Sequence, residues 1–190
     1  PSTLLSKNSF LTWQGGEVKD FELKVDFRIT ADGNSGINYR SGMLDTIPYG
    51  MKGYQADIDG KNNYTGMNYE ERARTILALR GQKVTLPPIP ASDSLQAHVK
   101  NNAWLAAIVD SSLGSADSLS KFIHPPGNWN QYHIVAKGNH LQHYVNGILM
   151  SDVTDNDSVN AKSQGLIGVQ VHVGPPMKVE FRHLLLKKIE

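Results

Sequence analysis

Nine consecutive residues constrain this chain more than any others. From Phe21 to Ile29 the sequence FELKVDFRI sets Phe21, Leu23, Val25, Phe27 and Ile29 against Glu22, Lys24, Asp26 and Arg28, with no break in the alternation. A β-strand turns successive side chains to opposite faces, so this segment has one wholly apolar side and one wholly charged side. A helix would wind the same residues around its whole circumference and leave no stripe to bury. The segment belongs in a sheet with one face on a core and the other in water.

The same period returns along the chain. Tyr54, Ala56 and Ile58 alternate with Gln55, Asp57 and Asp59, and Val169, Val171 and Val173 alternate with Gln170 and His172. Gly174-Pro175-Pro176 then breaks the backbone, and Met177, Val179 and Phe181 resume the alternation, so that two adjoining strands share one apolar layer. Asp32-Gly33-Asn34 predicts a hairpin or tight corner before Ile37 to Arg40. Asn146-Gly147 predicts a hairpin inside a three-strand meander from Trp129 to Val153. Residues 91–103 have room for one short helix, 104–110 fit a buried strand or a short helix, and 111–128 form the longest loop. The charged run from Glu70 to Arg74 reads as a solvated loop or helical turn rather than the source of a catalytic glutamate.

No internal repeat and no sustained helical period is present. Ten or more short strands in 190 residues predict an all-β, two-sheet antiparallel β-sandwich of jelly-roll type, a single domain over 1–190. Nineteen Lys and Arg against eighteen Asp and Glu leave a formal charge of +1, so no field recruits nucleic acid or an anionic membrane. No apolar run approaches the roughly 20 residues of a membrane span. Without cysteine there is neither a disulfide nor a thiolate metal site. Pro1 in place of an initiating Met is expected of a chain from which a leader or preceding segment has been removed.

Gln55, Asp57 and Asp59 project from one face of one strand, and amides and carboxylates are poor strand formers. They are either a solvated outer face or the lining of a site. Gln170 and His172 repeat the choice on the strand at Gly165 to Val173. His140 and His143 have the only close histidine spacing, but i and i+3 on a strand face opposite ways, and no loop has calcium-ligand spacing. Neither a metal nor another cofactor is expected.

Four motifs carry a family likeness: GNSGINYR at Gly33 to Arg40, GYQADID at Gly53 to Asp59, WNQYHIVAKGNHLQHYVNG at Trp129 to Gly147, and GLIGVQVHVGPPMKVEFRHLLLK at Gly165 to Lys187. In this order, from about residue 10 to the C-terminus, they resemble the 3-keto-disaccharide hydrolase domain family (DUF1080). The resemblance implies a concanavalin A-like jelly roll, a carbohydrate ligand, export from the cell, and activity on 3-keto-glycosides. Many members read GYE-x-Q at the second motif, whereas this chain has Gln55 and Asp57, so acid and amide exchange places along one strand face.

A ketone at carbon three of a sugar acidifies the proton on carbon two, so the glycosidic oxygen can leave by elimination and water can add afterwards. That chemistry needs a base, a donor for the developing enolate, and an acid for the leaving oxygen. Asp57 is the candidate base and His172 the candidate acid or second base. Arg40 and Gln170 are candidates to hold the enolate or sugar hydroxyls, together with Asn38, Gln55 and Asp59. Tyr39, Tyr54 and Trp129 either stack on sugar rings or lie in the core. The competing readings are a non-catalytic carbohydrate-binding module, since such sandwiches serve both ends, and a structural domain of a larger exported protein.

Overall fold

The computed structural model describes residues 4–189, and they fold almost entirely as strands. The chain begins with β1 (Ser9–Thr12), β2 (Phe21–Ile29), β3 (Asn34–Met43) and β4 (Met51–Asp59), then β5 (Asn68–Glu71), β6 (Thr75–Ala78) and β7 (Gln82–Leu86). A 3-10 turn at Leu95–His98 precedes β8 (Val99–Lys100), β9 (Ala103–Trp104), β10 (Ile108–Ser112) and the short helix α1 (Ala116–Ser120). The meander β11 (Asn130–Lys137), β12 (His140–Val145) and β13 (Ile148–Asp155) leads to β14 (Leu166–Val171) and β15 (Val179–Lys188).

These strands form two sheets. Eight lie in the order β1-β14-β3-β4-β5-β6-β9-β8 and seven in the order β10-β7-β13-β12-β11-β2-β15. The described pairings are antiparallel, as expected, except that β13 runs parallel to β7 and β6 to β9. Phe21, Leu23, Val25, Phe27 and Ile29 are all buried in the cluster between the sheets, where Val25 faces Tyr132 and Leu23 faces Ile134 across the β2–β11 ladder. Each such side chain contributes about 1.5–3 kcal/mol on leaving water. The charged side of β2 faces outward, with Arg28 paired to Glu180 at 2.7 Å.

Two turns prove to be corners between sheets. The chain leaves β2 in one sheet and enters β3 in the other, so the Asp32-Gly33 turn is the predicted tight corner and not a hairpin. The Gly174 to Pro176 turn does the same between β14 and β15. Ile167 and Val169 then meet the core from one side, and Val179 and Phe181 from the other.

The charged run is solvated only at Arg72 and, in part, Ala73. Glu70 and Arg74 are buried, and Arg74 bonds Glu70 and Asp155 at 2.6 Å each and Asp157 at 3.3 Å. A lone buried charge is too costly to survive unpaired, and two of the three partners of Arg74, Asp155 and Asp157, lie some eighty residues further along the chain, outside the reach of any local pattern. The long serine-rich loop also holds more order than expected: Ser115 caps α1, and Leu119 is buried.

Candidate functional site

Tyr54, Ala56 and Ile58 belong to the core, so strand geometry turns Gln55, Asp57 and Asp59 to the outer face of the eight-stranded sheet. Asn38 lies beside Gln55 and Gly36 beside Asp57 on β3; Tyr69 lies beside Gln55 on β5. Gln170 on β14 and His172 just past its end take the same side as these polar residues. A hollow of about 300 Å³ opens here, and its walls include Asn8, Asp57, Glu71, Arg72 and His172.

The floor is a connected set of hydrogen bonds. Gln170 Nε2 donates to Gln55 Oε1 at 3.1 Å and to Glu71 Oε2 at 3.3 Å, and Gln55 Nε2 donates to the Asp57 carboxyl. Asn8 Nδ2 donates to the other Glu71 oxygen at 3.3 Å, and Arg72 Nε stands 3.5 Å from it. Gly36 makes room for this arrangement. A Cβ there would fall 2.6 Å from Gln55 Cγ and Cδ, so any side chain would displace the amide. From the core side, Tyr132 donates to the Asp57 carbonyl at 3.2 Å and accepts from Gly66 N at 3.0 Å, fixing the backbone under the acid.

Burial pushes the Asp57 carboxyl up to about 8; the Gln55 hydrogen bond opposes this, and the charges of Asp59 and Glu71 add to it. Burial also raises Glu71, against the donors Asn8, Arg72 and Gln170. A carboxyl held near 8 keeps its proton at neutral pH and exchanges it readily with a ligand. His172 Nδ1 lies 2.5 Å from the Val173 carbonyl oxygen. A carbonyl only accepts, so Nδ1 carries the hydrogen, and Nε2 of the neutral ring is left with a free lone pair. The hollow thus brings together a carboxyl that burial raises and an imidazole whose Nε2 has no protein partner and, in the neutral ring, is free to accept.

Of the residues singled out from sequence, Asp57, Gln55, Gln170 and His172 come together here. Asn38 lies beneath them, fully buried, with both amide atoms free of protein partners. Three others lie elsewhere. Arg40 takes a left-handed φ of 44° at a register shift in β3, which breaks the alternation and sends its side chain away from the hollow. It binds Asp20 at 2.9 Å and the carbonyls of Lys19, Gly138 and Lys162. Asp59 caps the loop after β4, accepting from the backbone N–H of Asn63, Tyr64 and Thr65 at 2.8–2.9 Å. It faces a separate crevice of about 30 Å³. Tyr54 is core: it stacks on Tyr39 with centroids 5.5 Å apart, and its hydroxyl donates to Asp155 at 2.5 Å.

The other proposed stacking rings are also in use, Tyr39 in the core and Trp129 under the guanidinium of Arg182 at 3.9 Å. Glu71 and Arg72 stand in the hollow instead, in the run read as solvated. The only sequence signal was their position one strand beyond GYQADID. Among the described residues no group of three or more His, Asp or Glu side chains is arranged to hold a metal ion.

The two packed sheets and the polar face of the larger one define a concanavalin A-like jelly-roll sandwich. Solved structures share it: carbohydrate-binding module CBM66 of Bacillus subtilis superposes with a TM-score of 0.57 at 16% identity, over 97% of this chain and 84% of that one. A candidate glycosyl hydrolase of Parabacteroides distasonis superposes with a TM-score of 0.56 at 17% identity, over 97% and 85%. The chain belongs to the 3-keto-alpha-glucoside-1,2-lyase-like domain family, which it matches over residues 2–187. No curated protein matches it in sequence.

Proposed function

We propose that the hollow binds a 3-keto-glycoside and breaks its glycosidic bond by elimination, with the roles of the two candidate catalytic residues exchanged relative to the expectation from sequence. His172 Nε2 takes the proton from carbon two, and the electron pair of that C–H bond forms the double bond between carbons one and two. The bond from carbon one to the glycosidic oxygen breaks, and that oxygen receives the Asp57 proton. Water then adds at carbon one and a proton returns to carbon two, releasing the 3-keto sugar. Arg72 and the second amide N–H of Gln55 offer donors to the ketone oxygen while it carries enolate charge, and Gln170, with both its N–H groups committed to Gln55 and Glu71, holds that amide in place.

One observation carries this reading: the buried Asp57 carboxyl and the His172 imidazole, whose Nδ1 is tied to the Val173 carbonyl and whose Nε2 is left unpartnered, line the same hollow. Family membership supports the substrate class. The test is incubation with 3-keto-trehalose and 3-keto-glucosides, following free 3-keto sugar, with Asp57→Asn and His172→Ala alongside. Turnover lost in both variants while binding persists is the expected result. Saturable binding by the unaltered protein with no turnover would overturn the enzyme reading in favour of a carbohydrate-binding module.

A further inference from the structure

The same sheet carries a second depression at its β1 edge. Phe10, Thr12, Trp13, Met43, Tyr49 and Leu166 line a groove of about 630 Å³. Two of its rings stand in solvent, Trp13 at 41% and Tyr49 at 71% exposure, whereas the rings of Tyr39 and Tyr54 are closed in the core. Both are placed by backbone. A Cβ at Gly15 would fall 1.9 Å from Trp13 Cζ2, so the bare glycine backbone lies against the indole and a side chain there would push the ring aside. The Trp13 N–H donates to the Ile167 carbonyl at 2.9 Å.

Tyr49 adopts a left-handed φ of 56°, a conformation that costs energy for a residue with a side chain, and its carbonyl accepts from Phe10 N at 3.0 Å. This arrangement holds an aromatic ring out in water, where it gains nothing from the fold.

The groove and the hollow are joined through one segment. Asn8 binds Glu71 in the hollow, and Phe10 and Thr12, immediately beyond it, line the groove. Residues 8 to 12 in extended form span about 13 Å, longer than one pyranose ring. At that spacing a glycoside with its reacting ring in the hollow is long enough to place a later ring in the groove.

We infer that the groove is a saccharide subsite that stacks a sugar ring on Trp13 and Tyr49, extending the glycoside site; the inference rests on the reading of the hollow given above. A pyranose offers C–H groups on its faces and hydroxyls around its rim. The groove answers with two aromatic rings and, at its edge, Thr12 and Gln14, the latter already held by the Thr12 carbonyl at 3.0 Å. The subsite selects for substrates with more than one sugar, and the hollow alone selects the ring that reacts.

The experiment measures equilibrium binding of methyl α-glucoside, maltose and maltotriose, which lack the ketone and are not consumed, by calorimetry with the unaltered protein, Trp13→Ala, Tyr49→Ala and Gly15→Ala. Affinity is expected to rise with chain length, by roughly tenfold or more from the monosaccharide to maltotriose. Each variant is expected to lose that rise and keep the monosaccharide affinity. Both aromatic side chains are exposed, so melting temperature is expected to stay within a few degrees in Trp13→Ala and Tyr49→Ala.

A length dependence that survives in all three variants would overturn the subsite and leave the hollow standing. Phenyl α-glucoside gaining as much as maltotriose, with the gain lost in Trp13→Ala, would overturn the saccharide as occupant in favour of an apolar aglycone. No binding of any of these sugars, or of 3-keto-trehalose, by the unaltered protein would overturn the reading of the hollow itself, and the subsite with it.

Discussion

Gln170 Nε2 lies 3.3 Å from Glu71 Oε2, although β3 and β4 run between their strands. Strand spacing of about 4.8 Å sets those backbones roughly 14 Å apart, so the two side chains must lean together over the face. Gln55 fills the span beneath them. Replacing Gln170 with Met keeps the bulk and removes the donor shared by Gln55 and Glu71. Sugar affinity is expected to fall roughly tenfold and stability by about 1–3 kcal/mol, measured by calorimetry and by urea unfolding. Unchanged affinity would mean that the floor does not position the ligand.

Asp57 adds its own pH dependence to stability, which comparison with Asp57→Asn isolates from that of other buried groups such as His143. Its carboxyl is held near 8 in the folded chain against an ordinary 3.8. Between those values the unfolded chain has lost the proton that the folded one retains. Stability from this group is therefore fully present below about pH 4 and declines until about pH 8, then levels off. Asp57→Asn has nearly the same shape and does not titrate. It is expected to be more stable than the unaltered protein at pH 8, by a margin on the order of a few kcal/mol, and inactive. Urea midpoints across this range check it; equal slopes for both proteins would show that Asp57 ionises normally.

Gly36 is predicted to control the acid through Gln55. In Gly36→Ala the new methyl group forces the Gln55 amide aside and breaks its bond to Asp57, the contact that lowers the carboxyl. The Asp57 titration midpoint is expected to move further upward, read from the carboxyl carbon by NMR. A midpoint that stays in place would show that the sheet yields and the amide remains.

Arg40 separates stability from binding. Arg40→Met leaves Asp20 and three loop carbonyls without their donor, at an expected cost of about 3 kcal/mol. Sugar affinity of the folded fraction is expected to change by less than about twofold, because the guanidinium does not line the hollow. A tenfold loss of affinity in the folded protein would return Arg40 to the site.

Much of this architecture is written in local sequence. Which way a strand side chain faces depends on its own backbone angles and those of its neighbours, so the alternation at Phe21 to Ile29 and at Tyr54 to Asp59 was enough to name core and outer residues. The Asn146-Gly147 turn is as local, and the meander stands where it predicts. Where that reasoning failed, a single residue had broken the period. The left-handed turn at Arg40 re-aims one side chain and carries it from the expected site to the loops behind.

Sequence alone therefore determined the most regular strands, the sandwich, and the alternation that sets Gln55, Asp57, Gln170 and His172 apart from the core, while β5, read as a loop or helical turn, escaped it. The tertiary structure decided which of these groups meet. Gln55 and Gln170 are 115 residues apart and touch because β14, β3 and β4 are neighbours, an order set by how the whole chain closes its core and by no property of either segment. Charge followed the same rule: Glu71 came into the hollow against Asn8 and Gln170, and the neighbouring Glu70 into the interior against Arg74, a pair whose burial is completed by Asp155 and Asp157 from some eighty residues further on.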